Sequence, residues 1–463
     1  MKIAFHGADH GVTGSCHFIQ CRETKILIDC GMYQGRRELE EENANHFGFD
    51  PAEIDFLLLT HAHLDHCGRI PLLVKRGFRG RVVCTSATRE LAKLVMLDSA
   101  RIQEEEAEYK TKKARRKDEN ADPIEPIYDT LDALNCLDYF DDINSFERPH
   151  DLAPGIRLTF YDAGHILGSA CILLELQENH SHQRVLFSGD LGYGGRAILR
   201  DPSHPPKANI VVMETTYGDR LHKQLEPSIE EFYEAINRTH AQGGNVLIPS
   251  FALERTQEIL FYLREGMEKG VVPASTQVFL DSPMAISATR IFQHHPECFD
   301  TQTWAVYQDG RDPFELPGLH YTRDTADSIA LKKIKGAIII AGSGMCTGGR
   351  IRHHLRHNLW KKEAAVIFVG YAAQGTLARQ IIDGAEKVRI FREEIEVKAR
   401  IYTIGGFSAH GDQEVLLDWQ KRTGNPEITF LVHGEEKAMT TFAGLLENTR
   451  VEMPDLHEEF EIG

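Results

Sequence analysis

Long apolar runs are missing from this chain. None reaches the ~18–20 residues that a membrane-spanning helix needs. The N-terminus, MKIAFHGADHG, carries one lysine and no apolar stretch of signal-peptide length, so a cytosolic protein is expected. Cysteine is scarce in pattern as well as in number. There are nine, an odd count, and no CxxC pair, which argues against a disulfide framework and against a cysteine-rich zinc site. An excess of positive charge is also lacking. Lys and Arg total 52 against 69 Asp and Glu, a formal charge of −17, which argues against a simple basic nucleic-acid binder. No internal repeat and no low-complexity segment interrupts the chain. What remains is ordinary globular composition, 42% apolar and 26% charged over 463 residues. At roughly 100–200 residues per domain, two to four domains are expected.

The first third reads as short apolar strands separated by turns: residues 2–6, 17–21, 25–29 and 55–60, then RVVCTS after Gly80. A long helix follows from about Ala87 to Lys117. Its second half is mostly charged and reads as a solvated face, with a basic docking patch at Lys110–Lys117 as the sharper alternative. Strands resume at 156–163, 170–176 and 184–188. The Pro-rich segment DPSHPPKA (201–208) is a plausible domain boundary. Beyond it strands and helices alternate, the pattern of a parallel α/β sheet. From about Glu394 strands return, ending with ITFLVH at 428–433.

Histidine carries the functional signal, with 23 copies. Directly after the strand DFLLLT stands His61-Ala-His63-Leu-Asp65-His66, four metal-ligand side chains within six residues. The spacing is not that of a zincin helix. It suits a loop that turns its side chains around two metals, and imidazole with carboxylate favours zinc or a similar divalent ion. Five further acids or histidines come at or just past the end of an apolar strand: Asp29, His165, Asp190, Glu214 and His433. Strand ends bring distant segments to one edge of a sheet, so these residues are expected to converge on a single site.

With these residues in view, HAHLDH, GHILGS, SGDLG and ILIDCG resemble the ordered motifs of the metallo-β-lactamase superfamily. ETTYGDR with Glu214, GGFSAHGD with His410 and LVHGE with His433 resemble motifs A, B and C of the β-CASP nucleases. PSFALERTQE, DSPMA, GSGMCTGGR and GYAAQGTLARQ are similar to loops of the same family. The resemblance spans essentially the whole chain. It implies an α/β architecture, a metallo-β-lactamase αββα sandwich interrupted by an inserted α/β cap. The first domain would cover 1–207, the β-CASP domain 208–395, and 396–463 would complete the first.

The resemblance also implies two Zn2+ per chain. One would be held by His61, His63 and His165 and the other by Asp65, His66 and His433, with Asp190 bridging and Asp29 orienting a ligand histidine. His410 would act near the scissile phosphate as a proton donor kept charged by Glu214. Phosphodiester hydrolysis fits this set, because two cations roughly 3.5–4 Å apart can activate a water while a histidinium protonates the leaving oxygen. Arg255, Arg350 and Arg379 are candidate phosphate contacts, each with an ordinary ion pair as the alternative. Ser343 and Gly344 lie in a Gly-rich loop that can offer backbone N–H groups to phosphate and has no Walker lysine.

The implied activity is hydrolysis of single-stranded RNA, as an endonuclease with 5′→3′ exonuclease action as an added mode. A DNA nuclease, another hydrolase of this fold and a catalytically dead scaffold stand as alternatives. The motif C histidine favours RNA over DNA. No KH-like segment before Lys2 and no long extension after His433 point to a stand-alone nuclease core. A homodimer stays open as an arrangement.

Overall fold

The computed structural model describes residues 1–463 apart from 36, 144, 145 and 371; Tyr371 of GYAAQGTLARQ thus lies outside the described residues. The chain divides into two compact units. One comprises Met1–Gly194, Asp201–Leu221 and His410–Gly463, and the other Gly195–Arg200 and His222–Ala409.

The first unit is a four-layer sandwich. One seven-stranded sheet runs Glu459–Glu461, Lys2–Phe5, His17–Cys21, Thr24–Ile28, Phe56–Leu58, Arg81–Cys84 and Phe140–Asp142. The other runs Arg450–Glu452, Ile428–Val432, Ile210–Glu214, Ser181–Phe187, Ala170–Glu178, Ile156–Asp162 and His150–Ala153. The sheets are mixed. Each is antiparallel toward one edge and parallel toward the other: Thr24–Ile28, Phe56–Leu58, Arg81–Cys84 and Phe140–Asp142 run parallel, as do Ser181–Phe187, Ile210–Glu214, Ile428–Val432 and Arg450–Glu452. Alternation along each strand sends one set of side chains inward. Ile3, Phe5, Ile19 and Ile26 from the first sheet meet Leu158, Ile172, Val185 and Phe430 from the second in one buried core. The outer face of the second sheet is covered by helices Gln413–Arg422 and Glu436–Ala443, through Leu416, Trp419, Met439 and Phe442.

The long helix is Ser86–Arg115, started by Thr85, whose side chain accepts from the Thr88 backbone N–H. Lys110 pairs with Glu106 and Lys112 with Glu108 one turn back, so the expected charged half is a surface laced with intrahelical ion pairs.

The second unit holds a six-stranded sheet in which every pairing is parallel, in the order Leu319–Tyr321, Gln277–Leu280, Ala337–Ala341, Val246–Pro249, Ala365–Phe368 and Arg400–Thr403. Ala337–Ala341 is buried at every residue, as a parallel strand covered on both faces must be.

The expected limits of the inserted domain, 208 and 395, both shift toward the C-terminus, to 222 and 409. Strand Ile210–Glu214 is hydrogen-bonded between Ser181–Phe187 and Ile428–Val432 and so belongs to the first unit. Strand Arg400–Thr403 pairs with Ala365–Phe368 and so belongs to the second.

Candidate metal centre

Every carboxylate and histidine singled out as a ligand or as its support lies in the first unit, most of them at the end of a strand or in the loop beyond it. Asp29 follows Thr24–Ile28 with φ of 63°, a left-handed turn that swings its carboxylate back over the strand end. There it accepts from Thr60 N (2.8 Å), Thr60 Oγ1 (2.9 Å) and His66 Nδ1 (2.7 Å). His63 caps a single helical turn, Leu64–Cys67, which carries Asp65 and His66. The sequence pattern anticipated a loop here. The turn forms because Cys30 N donates to His66 O and Ser15 N to Asp65 O, and because Gly31 lies so close that a Cβ on it would sit 1.6 Å from Asp65 O.

The remaining ligands arrive by equally specific routes. His165 stands in the connection between Ile156–Asp162 and Ala170–Glu178, its backbone N–H donating to Ser169 Oγ. Asp190 follows Ser181–Phe187 across Gly189, whose φ is 53°. His433 follows Ile428–Val432 in a left-handed conformation (φ 49°), anchored by its N–H on Ala8 O.

Two donor clusters result. In the first, His63 Nδ1 lies 3.1 Å from His61 Nε2 and 3.2 Å from His165 Nε2, and both Nε2 atoms lie 3.5 Å from Asp190 Oδ2. In the second, His66 Nε2 lies 3.3 Å from His433 Nε2 and 3.4 Å from Asp190 Oδ1, with Asp65 Oδ2 3.7 Å from His433 Nε2. The two oxygens of Asp190 thus face different clusters. Asp190 Oδ1 is buried with no hydrogen-bond partner among the described residues.

These spacings fit divalent cations. With Zn–N bonds of ~2.0–2.1 Å, the edges of a tetrahedron are about 3.3–3.4 Å long, close to the nitrogen–nitrogen and nitrogen–oxygen separations in both clusters. Burial holds His63 down at about 4 and His61 well below its ordinary value, so both imidazoles are neutral donors. The grouping of Asp190, Glu214 and His433 is a third set of donors in mutual reach, but it shares two members with the clusters already described.

His410 stands beside these clusters. Its Nδ1 is 3.2 Å from Glu214 Oε2, 3.3 Å from Oε1 and 3.8 Å from Asp190 Oδ2. Burial pulls this imidazole down, but the Glu214 and Asp190 carboxylates outweigh it and push it up to about 9. Glu214 is itself fixed, since its Oε1 accepts from Leu191 N at 2.6 Å and its own N–H donates to Ser188 Oγ.

Some contributors were not singled out from the sequence. Thr60 fastens Asp29, Thr216 Oγ1 lies 3.2 Å from His433 Nδ1, and the Tyr217 ring stands edge-on to His410. The signal was at hand, since Thr60 immediately precedes HAHLDH, and Thr216 and Tyr217 sit within ETTYGDR.

The five phosphate candidates lie in the second unit. Arg255 is buried and ion-paired with Glu258. Arg350 donates to Asp281 Oδ1 (2.7 Å), Thr322 O and Arg323 O. Arg379 pairs with Asp383 one turn along its own helix. Ser343 Oγ accepts from Gly348 N, and Gly344 packs against the Phe251 ring.

Known proteins resemble this chain along its whole length. The family model described as the Metallo-beta-lactamase superfamily matches residues 11–236, the Beta-Casp domain 256–381, and the Zn-dependent metallo-hydrolase RNA specificity domain 394–454. Ribonuclease TTHA0252 of Thermus thermophilus is 39% identical over 454 residues, 96% of each chain. The chain belongs to the β-CASP family of the metallo-β-lactamase superfamily. Transcription termination factor FttA of Methanocaldococcus jannaschii is 32% identical, covering 96% of this chain and 68% of that protein. An RNase J-like protein of the same organism is 28% identical over 95% and 94% of the two chains. A crystal structure of a protein of unknown function from Enterococcus faecalis V583 superposes with a TM-score of 0.55 over 99% of both chains at 12% identity, a likeness of fold alone. The chain is thus a metallo-β-lactamase domain into which a β-CASP domain is inserted, and a metal-dependent hydrolase by family.

Proposed function

We propose that this β-CASP protein is a ribonuclease that hydrolyses phosphodiester bonds of single-stranded RNA in the cytoplasm, with two zinc ions per chain. The observation that carries the reading is the division of the Asp190 carboxylate between two histidine clusters, with a glutamate-held imidazole beside it. Support for RNA comes from the match to an RNA specificity domain and from a ribonuclease among the relatives. Among the described residues no helix is long and apolar enough to cross a membrane, and the nine cysteines are buried.

His61, His63 and His165 would hold one cation, Asp65, His66 and His433 the other, and Asp190 both. Bound there, the cations supply Lewis acidity toward water and toward the charged phosphate. The chain's own residues do the rest. Asp29 keeps the His66 proton on Nδ1, which leaves Nε2 as the donor atom. Glu214 grips His410 at Nδ1 and stabilises the imidazolium, so the opposite nitrogen can pass a proton to the departing ribose oxygen as the phosphorus–oxygen bond breaks.

The assignments within the second unit form part of the same reading: Arg255, Arg350, Arg379, Ser343 and Gly344 contribute to holding the RNA backbone, through ion-pair networks and loop amides. The deciding experiment incubates the protein with end-labelled single-stranded RNA and DNA while zinc is counted by elemental analysis. Cleavage of RNA with about two zinc per chain is expected, and His410→Ala should retain the zinc and lose most cleavage. Folded protein that carries no zinc, or a His410→Ala protein with wild-type turnover, would refute it.

A further inference from the structure

His17 stands where the strand pattern calls for an apolar residue. In strand His17–Cys21 the alternate positions His17, Ile19 and Cys21 share a face, and Ile19 and Cys21 belong to the core between the two sheets. The imidazole is 3% exposed, edge-on to Phe5 and stacked over Phe187 at 6.2 Å between centroids. Only its Nε2 has a polar neighbour in hand, Ser15 Oγ at 3.4 Å, and Ser15 in turn donates to Asp29 Oδ2. Nδ1 has no hydrogen-bond partner among the described residues. An imidazole nitrogen left bare in a hydrocarbon core costs on the order of 1–3 kcal/mol, so a partner is called for.

The partner's place is visible. His17 lines a small cavity whose wall also includes Ser188, Asp190 and Glu214 together with Asp29, His66 and His433 of the metal centre. The cavity leaves about 20 Å³ for the centre of a water molecule. One ordered water needs roughly 10–15 Å³ by this measure and two to four polar partners, and these side chains supply them. Burial pushes the His17 imidazole down to about 3, so it meets that water as a neutral ring.

We propose that His17 is a positioning residue of the metal centre: its Nδ1 accepts from one buried water, and that water gives its other hydrogen to Asp190 Oδ1, the second buried atom of this cavity with no hydrogen-bond partner among the described residues, and holds that carboxylate in place. Among the described residues the His17 ring makes no hydrogen bond to a ligand side chain. Its influence runs forward through the water to Asp190, and sideways through Ser15 to Asp29 and His66. The inference rests on the metal-centre reading above and extends it to a residue outside every ligand set.

The test compares wild type with His17→Leu, which fills the space without a polar atom, and His17→Asn, whose amide reaches about where Nδ1 lies. A crystal structure at a resolution that shows ordered water should place one at hydrogen-bond distance from Nδ1, whether or not zinc is present. His17→Leu should lack that water, should release zinc to a chromogenic chelator about 10-fold faster, and should lose about 10-fold in kcat with KM nearly unchanged, at the lower end of what supporting residues of metal sites contribute. His17→Asn should recover most of both losses. A residue that merely packs would move the melting temperature and leave zinc release alone. Absence of the water in wild type overturns the proposal, as does a folded His17→Leu with wild-type zinc retention and kcat. If His17→Leu fails to fold, His17→Asn decides: the water retained together with fast zinc release overturns the proposal, and both retained support it. Wild-type protein that binds no zinc yet shows the water would refute the functional reading and leave the water site standing.

Discussion

Asp29→Asn is the sharpest perturbation of the metal centre, because it changes a proton and almost nothing else. Asp29 Oδ1 accepts from Thr60 N at 2.8 Å and Oδ2 from His66 Nδ1 at 2.7 Å, in a place that is 1% exposed. An amide has only one oxygen. If that oxygen keeps the Thr60 N–H, the NH2 group faces His66 Nδ1–H, and two donors oppose each other. The imidazole must then move its proton to Nε2, the atom that points at His433 and Asp190 and would bind the cation. If the amide flips instead, the buried Thr60 N–H loses its acceptor, at a cost of ~1–3 kcal/mol. Either way the substitution should weaken zinc at the Asp65–His66–His433 cluster by about 10–100-fold, or about 1.4–2.7 kcal/mol. The His61–His63–His165 cluster meets Asp29 through Thr60 Oγ1, which lies 3.1 Å from His61 Nδ1, and should lose less affinity than the other. Competition with a chelator, read as two separate zinc affinities, measures both at once. Two unchanged affinities, or equal loss at both clusters, would refute the reasoning.

Further expectations follow from other parts of the molecule. Gly31→Ala places a methyl group 1.6 Å from Asp65 O, so the Leu64–Cys67 turn must move and zinc content should fall; a two-zinc Gly31→Ala protein would contradict this close approach. In the second unit, Glu258 is fully buried beneath two guanidinium groups, Arg196 at 2.7 Å and Arg255. Glu258→Gln should therefore cost ~3–5 kcal/mol in denaturant unfolding of that unit. Asp281 is also buried, which raises its pKa, but hydrogen bonds from His354, Ser328 and Arg350 outweigh burial and hold it below the ordinary 3.8. A depressed carboxylate contributes stability above the unfolded value and loses it as pH falls through the folded one. The advantage of wild type over Asp281→Asn should accordingly be full at pH 6–7 and shrink below about pH 4.

How much of this was legible beforehand depended on whether a feature is local. The strands His17–Cys21, Ile156–Asp162 and Ile428–Val432 could be read because apolar, β-branched stretches between turn residues have few other ways to be buried. The boundary at 222 could not. Ile210–Glu214 is buried at all five residues, so its composition suits the centre of either unit's sheet, and only its pairing with Ser181–Phe187 and Ile428–Val432 decides. The opposite boundary failed for a related reason. Arg400–Thr403 is only partly buried at the edge of its sheet, and an edge strand leaves a weak pattern.

The metal centre was readable where ligands crowd together in sequence and opaque where their supports are scattered. His61, His63, Asp65 and His66 announce themselves within six residues, but the helical turn under them has no signal of its own length; it exists because Gly31, Cys30 and Ser15 from another segment hold its backbone. The arginines show the same limit. Glu258 is one helical turn from Arg255, a pairing that spacing can suggest, whereas Arg196 reaches that same carboxylate from 62 residues away. His17 is the extreme case. By periodicity it is simply a core position, and nothing in its neighbours distinguishes it from a misplaced polar residue. Only the cavity beside Asp190 and Glu214 gives the odd imidazole a reason, because a buried nitrogen next to a water-sized space is a different chemical object from a buried nitrogen against hydrocarbon.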